Sequence, residues 1–445
     1  IQIYMIVEFS VKNFRTFKEK ATLSLVASNY DKDTRENENI YNDPKFNLRL
    51  LKSAVIYGAN ASGKSKLFEA LSFMKYFVVS SSKETQKGDK IDIEPFKLSS
   101  ETENSPTEFE VIFTHNDVMY RYGFEADKKN VISEWLYYKP KTKEVELFYR
   151  DGDSFETHLR NFSKGKTVIK EGLVRNNALL VSVAAQFNDI TSIEVIDWFK
   201  QLKSISGLNE SGYRGFTLSK TDDPNQKDNV LNLLKAADLG IQDIKLEKVD
   251  INNLPKDLPN ELRERIIKEI NDEKKELFSD ILTSHKKFDS NKKAIDNVNL
   301  SLDDDESSGT RKFFALTGPI LDVIENGYSL IVDELDSKLH PNLVCKIVSL
   351  FNSKELNKKN AQLIFNTHDT NLLSSGLFRR DQIWFTDKNK YGEAKLFSLA
   401  DFKSDEVRKS ESFEENYIKG KYGAVPFLGF FDNLNNILPK YENEE

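Results

Sequence analysis

Eight residues constrain this chain more than any others. Gly58-Ala59-Asn60-Ala61-Ser62-Gly63-Lys64-Ser65 follows the apolar run SAVIY and leads into KSKLFEALSFMKYFV, where apolar residues recur at helical spacing. The order is buried strand, glycine-bounded turn, helix, and the turn fits G-x-x-x-x-G-K-[ST] in full. Gly58 and Gly63 permit a loop whose backbone N–H groups converge on phosphate oxygens, and the helix from Lys64 adds the positive end of its dipole. Lys64 is expected to reach the β- and γ-phosphates and the Ser65 hydroxyl to ligate Mg²⁺. Gly58 through Lys66, with Ala59, Asn60, Ala61, Ser62 and Lys66 included, are expected to hold ATP.

Three further stretches supply matching chemistry. SLIVDELD is an apolar strand ending in carboxylates; Asp333 suits the Mg²⁺ shell, and Glu334 suits a general base acting on water. Read alone, it is a strand with an acidic turn. AQLIFNTH ends in His368, one strand–helix–strand step later, where a histidine can sense a γ-phosphate or simply be structural. In LDDDESSGTRKFFAL, Ser307, Ser308 and Gly309 begin a helix, a second potential anion site. The plainer reading there is N-capping by Ser308. Zinc is unattractive, because no Cys or His stands at ligand spacing to His368 or His340.

The rest of the chain reads as a frame for these motifs. IVEFSVKNF alternates as a half-buried strand and ATLSLVA as a possible partner, with a polar loop from Asn29 to Asn47. FEVIFTHNDVMYRYGFEA predicts a hairpin turning at His115-Asn116-Asp117, continued by VISEWLYYK and VELFYRDG as an antiparallel meander appended to the nucleotide-binding sheet. ALLVSVAAQF reads as one more apolar strand. The polar stretch 189–299 predicts a largely helical insertion: a helix ending near Gly240, the strand IQDIKLEKVDI, and an amphipathic helix over Pro259–Leu282. It is too short for a sustained coiled coil. After Leu300 the α/β pattern returns. The expected division is an N-terminal ATPase lobe over 1–188, the insertion over 189–299, a C-terminal ATPase lobe over 300–400 and a tail over 401–445.

With 445 residues, the chain suits two or three domains. A net charge of −7 and a pI near 5.6 argue against nucleic-acid binding over the whole surface but leave room for a local basic patch; Lys286 to Lys293 is the best candidate, and a solvated loop is its plainer reading. One cysteine, Cys345, excludes an intramolecular disulfide framework and suits a reducing compartment. Met5 reads as the natural start. With neither a signal-peptide pattern nor an apolar run of membrane-spanning length, a cytoplasmic protein with no membrane partner is expected.

Together, GANASGKS, ESSGTRKFF, SLIVDELDSKLHP and FNTHD resemble the ABC-type ATPase heads of the SMC/RecF/OLD branch. ESSGT is similar to that family's signature loop, with Ser307 and Gly309 in its serine and final glycine places and Thr310 departing from the usual Gln or Glu. The resemblance implies a P-loop NTPase fold of the α/β class with an ABC-type head. It implies that Asp336 belongs to the D-loop, that His340-Pro341 completes its LHP element, and that Arg15, in IVEFSVKNFRTF, approaches the nucleotide. Gln186 would be the glutamine that senses Mg²⁺ and the attacking water, or a plain polar residue at a strand end. Within the branch, the chain looks like the stand-alone bacterial AAA/ABC-like phage-defence ATPases, the RloA/AbiL-like and PARIS-type ATPases.

The resemblance further implies a homodimer or higher homo-oligomer with composite ATP sites, P-loop from one copy and Ser307–Gly309 from the other. The expected function is an ATPase that acts as sensor or regulator of a partner effector, a toxin or nuclease, in anti-phage defence. The alternative is a RecF/SMC-like repair ATPase acting directly on DNA. A transporter subunit is disfavoured by the LHP element and the meander. The apolar stretch Ala424 to Phe431 either packs on the core or docks a partner.

Overall fold

A computed structural model describes residues 4–29, 32–157, 162–248, 259, 278–403 and 411–426. The chain forms two units, one of Ile1–Ile205, Val323–Asp336 and Val344–Glu445, the other of Ser206–Asp322 and Ser337–Leu343.

The first unit opens with β1 (Met5–Lys12) and β2 (Ala21–Ser24), then α1 (Glu36–Asn39), β3 (Ile40–Asp43), β4 (Leu48–Leu51), β5 (Ser53–Gly58) and α2 (Lys64–Ser80). Next come β6 (Thr107–His115), β7 (Val118–Ala126), β8 (Val131–Lys139), β9 (Val145–Asp151) and β10 (Ser154–Thr157). After them lie α3 (Ser163–Lys170), α4 (Leu180–Gln186), α5 (Ile190–Gln201) and β11 (Lys203–Ser206). The second unit carries α6 (Ser211–Asp222), α7 (Pro224–Ala236), β12 (Ile241–Lys248), β13 (Phe278–Phe288), β14 (Ala294–Ser301) and most of α8 (Ser308–Asn326). The chain finishes with β15 (Ser329–Asp333), α9 (Pro341–Asn352), β16 (Gln362–Asn366), α10 (Asn371–Ser374), β17 (Ile383–Lys388), β18 (Ala394–Ser398) and α11 (Phe413–Ile418).

Two sheets build the first unit. The one that carries the motifs has the order β11-β15-β16-β5-β17-β18, with β15, β16, β5 and β17 parallel and β18 antiparallel to β17. β5 and β16 are buried along their whole length, which is why they read as unbroken apolar runs and not as alternations. The other sheet has the order β10-β9-β8-β7-β6-β1-β2. So the meander is not appended to the nucleotide-binding sheet; β6 pairs with β1, Phe9 opposite Val111, and makes a separate antiparallel sheet. Its first hairpin turns at Asn116 and Asp117, both at positive φ, as a two-residue turn between twisted strands requires. Between the sheets α2 packs Phe73 and Phe77 onto Phe109 and Phe124 and meets β5 and β15 with its other side.

Four sequence expectations change. The segment Asn29–Asn47 is no plain loop, since it contains α1, β3 and the start of the β3–β4 hairpin. ALLVSVAAQF is the helix α4, not a strand. The buried carboxylate of Glu134 accepts the N–H groups of Leu180 at 2.6 Å and Val181 at 3.0 Å, so it satisfies orphan donors and the helix dipole together. A short helix buried on nearly every side shows no amphipathic period for a sequence to reveal. The boundary expected at 188/189 falls instead at 205/206, because α5 stacks Trp198 on Phe113 at 4.0 Å between ring centres and belongs to the first core. Beside the helices of the insertion the described residues hold a sheet that was not expected in full: β12, β13 and β14 pair antiparallel. Phe278–Leu282, expected at the end of a helix, starts β13; the body of that expected helix, 260–277, lies outside the described residues.

In the second unit α8 tolerates Pro319, which leaves the Ala315 carbonyl without its helical donor. Thr217 Oγ1 donates to that carbonyl at 2.6 Å and accepts from the Gly318 N–H at 3.1 Å. Of the tail, Tyr417 stacks on Phe385 and donates to the Ala424 carbonyl, so the stretch from Ala424 begins packed on the core; Phe427–Phe431 lie outside the described residues. Among the described residues, no helix is long and apolar enough to cross a membrane.

Lys52, in the turn before β5, is only 2% exposed, and no carboxylate pairs with it among the described residues. Burial, with the charge of Lys354, pushes its ammonium down from 10.5 to about 8. Between those values the unfolded chain holds more protons than the folded one, so stability rises with pH across that window. Lys52→Met is expected to add roughly 1–3 kcal/mol at neutral pH and to flatten that rise, read from urea denaturation at neutral pH and above pH 9.

Candidate functional site

The turn after β5 and the start of α2 wall a cavity of about 560 Å³. Asn60 to Lys66 line it together with Thr16, Glu334, His368 and Lys388. The cavity therefore lies at the carboxyl ends of parallel strands, where open α/β sheets bind ligands. The turn is held tightly from below. Ser62 Oγ and Thr386 Oγ1 are 2.6 Å apart, and a Cβ at Gly58 would stand 2.4 Å from the Thr386 carbonyl oxygen. Gly63 caps α2 at φ 118, a region that side chains avoid, and a Cβ there would crowd Thr16, Phe17 and Ala394.

Lys64 is buried, and its ammonium donates to the carbonyls of Gly58 at 2.7 Å and Ala59 at 3.2 Å. Burial lowers its pKa; the nearby carboxylates of Glu334, Asp333 and Asp336 oppose that shift. The three acids are positioned from β16. Asn366 Nδ2 donates to Asp333 Oδ1, and the Glu334 N–H donates to Asn366 Oδ1 at 2.5 Å. Glu334 is held at φ 58, a left-handed conformation that costs a β-carbon-bearing residue of order 1 kcal/mol and re-aims its carboxylate from the strand end into the cavity. The His368 N–H donates to Asp336 Oδ2 at 3.2 Å, which ties the end of β16 to the turn after β15.

The other expected residues fall in three places. Arg15, at φ 52, lies 3.8 Å from Glu69 of α2 and flanks the cavity without lining it; its neighbour Thr16 lines it. Gln186 is not in the cavity. It lines a separate depression with Val79, Lys83 and Asp197, about 21 Å along α2 from Ser65, because α4 is a helix docked at the far end of α2. Ser307, Ser308 and Gly309 belong to the second unit. There Ser307, not Ser308, caps α8: its Oγ accepts from the Thr310 N–H at 3.1 Å and lies 3.0 Å from Thr310 Oγ1. Thr310 is buried by this arrangement, the local reason a threonine stands at that position. A Cβ at Gly309 would come 2.8 Å from the Lys338 carbonyl oxygen, so the helix start packs backbone-close on the segment after Asp336. His340 Nδ1 accepts from the Asn342 N–H at 3.2 Å and thereby caps α9 ahead of Pro341.

A family model described as "AAA domain, putative AbiEii toxin, Type IV TA system" matches residues 53–374. The chain belongs to this AAA-domain family. The match begins with β5 and ends with α10, so it encloses the glycine turn, the acids after β15 and His368. Among solved structures, the chain is similar to an Smc head bound to the C-winged helix domain of ScpA (12% identity, 88% of this chain, 97% of that one, TM-score 0.46). It is also similar to the SMC head domain from Thermotoga maritima (12% identity, 88% and 98% covered, TM-score 0.41). A third is the Pyrococcus furiosus Smc head with an extended coiled coil bound to the C-terminal domain of ScpA (13% identity, 89% and 96% covered, TM-score 0.37). No curated protein matches it significantly.

In this AAA domain the donors fit a nucleotide with a hard divalent cation. The glycine turn offers backbone N–H groups, while Ser65 and the Asp333 carboxylate offer the oxygen ligands Mg²⁺ prefers. Thr16 Oγ1 is buried without a partner beside the cavity, an unused hydroxyl that a phosphate or water would satisfy. Sequence reasoning missed Thr16, Asn366, Thr386 and Lys388. FRTF and FNTH do contain Thr16 and Asn366, and a polar residue ending an otherwise apolar strand was the available signal for Asn366. Gly58→Ala is expected to force the turn off Thr386, lowering the thermal transition and weakening binding of a fluorescent ATP analogue at least about tenfold. Wild-type affinity in that variant would show that the close approach is dispensable.

Proposed function

We propose that this chain binds ATP with Mg²⁺, hydrolyses it, and closes as a dimer on the nucleotide to control a partner effector, a toxin or nuclease, in anti-phage defence. One observation carries the catalytic part: Glu334 and His368 line a single cavity with Lys64 and Ser65, although the sequence places them far from that pair. Lys64 would hold the β- and γ-phosphates, Glu334 would take the proton of the attacking water, and His368 would contact the γ-phosphate from the end of β16. Mg²⁺, held through Ser65 and Asp333, would neutralise charge on the transferred phosphoryl group. Asn366 acts as a positioning residue, fixing Asp333 and Glu334 with one amide.

The dimer draws its support from Ser307–Gly309. A helix start with small residues and a hydroxyl is a second anion site, and its natural ligand would be the γ-phosphate bound to the P-loop of another copy. Hydrolysis would remove the bridging charge and favour opening, a switch set by differential affinity for two states. The defence role draws support from the family description, which names a toxin and a toxin–antitoxin system. The RecF/SMC-like reading draws on a different observation, the four exposed lysines Lys286, Lys287, Lys292 and Lys293 around the β13–β14 turn. A net charge of −7 favours the effector.

Lys64→Ala is expected to lose ATP binding, and unchanged turnover would sink the P-loop role. Glu334→Gln should bind ATP, hydrolyse it at least about a hundredfold more slowly, and accumulate as a closed dimer. Ser307→Arg should keep ATP binding and fail to close. A tagged Glu334→Gln chain recovered from its native cells with ATP decides between the readings: a stoichiometric protein kept after nuclease treatment supports the effector, and DNA alone supports repair.

A further inference from the structure

The outer edge of the second unit's sheet has no role in the nucleotide chemistry. β14 ends the order β12-β13-β14, so among the described strands its far edge pairs with nothing. Every residue from Ala294 to Asn299 is exposed; Ile295 is 58% and Val298 40% exposed, and Phe288 of the neighbouring strand 55%. Ladder bonds in an antiparallel pair alternate along the strand. With the Leu302 N–H donating to the Ile281 carbonyl at 2.8 Å, the alternation leaves the groups of Asn297 and Asn299 for the open edge. On that edge the Asn297 N–H donates to the side chain of Asp296 at 2.8 Å. A strand of 8 residues offers an edge of roughly 27 Å, and such an edge bearing exposed aliphatic side chains is a template for another strand.

The charges at its two ends identify the partner. Lys292 and Lys293 stand just before β14, and Asp303 and Asp304 just after it, all four exposed. Both carboxylate oxygens of Asp303 accept from the Arg214 guanidinium, at 2.6 and 2.7 Å, which leaves Asp304 as the available acid at that end. Set antiparallel against itself with Val298 opposite its own counterpart, the strand brings Lys292 toward Asp304, twice by symmetry. A nucleic acid or an acidic peptide would meet the lysines at one end and be repelled by the aspartates at the other. We propose that β14 pairs antiparallel with β14 of a second copy of this chain, making a contact that needs no nucleotide. This contact is independent of closure on ATP; a chain carrying both could build assemblies larger than two.

The test is sedimentation of the full chain without nucleotide, in a Lys64→Ala background so that closure on ATP plays no part. The unaltered edge is expected to give a concentration-dependent dimer. Lys292→Glu should weaken dimerisation at least about tenfold, and Asp304→Lys likewise, since each sets like charges opposite each other. An equimolar mixture of the two variants should recover a mixed dimer to within about threefold of the parent, because the swapped charges are again opposite. Matching thermal transitions will show that all variants fold. A parent monomeric at about 100 µM, variants with unchanged association, or a mixture no tighter than its components would each overturn the proposal. So would a monomer that binds an oligonucleotide through the same lysines.

Discussion

The first unit depends on β5 being paired in parallel on both sides, with β16 along one edge and β17 along the other. That pairing leaves the strand no free edge and delivers its last residue, Gly58, beside the Thr386 carbonyl with no room for a side chain. The turn that follows is thus shaped by the sheet before any ligand is considered. A single buried amide fixes the opposite end. Gln362 accepts from the Ile6 N–H at 2.7 Å and donates to the carbonyls of Ile6 and Leu51 at 3.0 Å, joining the antiparallel sheet to the parallel one. Such a network is fully satisfied and therefore specific, since breaking any member strands a buried polar group.

The same logic of mutual restraint holds the acids. A strand ending in Asp333 would run on with an extended Glu334; Asn366 stops it by taking the Glu334 N–H and the Asp333 carboxylate together. The local strain at Glu334 is thereby offset in the neighbouring strand, an arrangement found where a side chain must be aimed. Lys64 sits in this field of three carboxylates while burial disfavours its charge, so a phosphate would meet a cation already desolvated.

Much of this was legible in the sequence, and the exceptions have physical causes. The parallel strands and the P-loop were readable because buried strands are continuously apolar and glycine is obligatory at close approach. α4 was misread because a short helix buried on nearly every side has no period, and its stabilising contact, Glu134 to Leu180 and Val181, spans distant sequence. With α4 misread, Gln186 was placed at a strand end near Mg²⁺, and the fold puts it at the far end of α2. β14 was invisible for the opposite reason. An edge strand exposed on both faces carries no alternation, and its polar residues looked like loop. Thr16 and Asn366 lay in quoted motifs, yet nothing in a single sequence tells which polar side chain of a motif faces a cavity.

The chain's path suggests how the proposed chemistry would be felt at a distance. Asp333, Glu334 and Asp336 are followed without a break by Ser337–Leu343, the segment that belongs to the second unit. There Lys312 of α8, fully buried, donates to the Ser337 carbonyl at 2.5 Å, and Gly309 lies backbone-close to Lys338. The start of α8 therefore rests on residues covalently continuous with the acids of the candidate site. Within the second unit the Ser307 cap is thus packed backbone-close on Ser337–Leu343. Ser307 in turn holds the Thr310 N–H with its only hydroxyl, so a phosphate from another copy would have to compete with that cap. Two states of one hydroxyl, capping its own helix or binding a partner's phosphate, would give the chain a local element whose equilibrium nucleotide can bias.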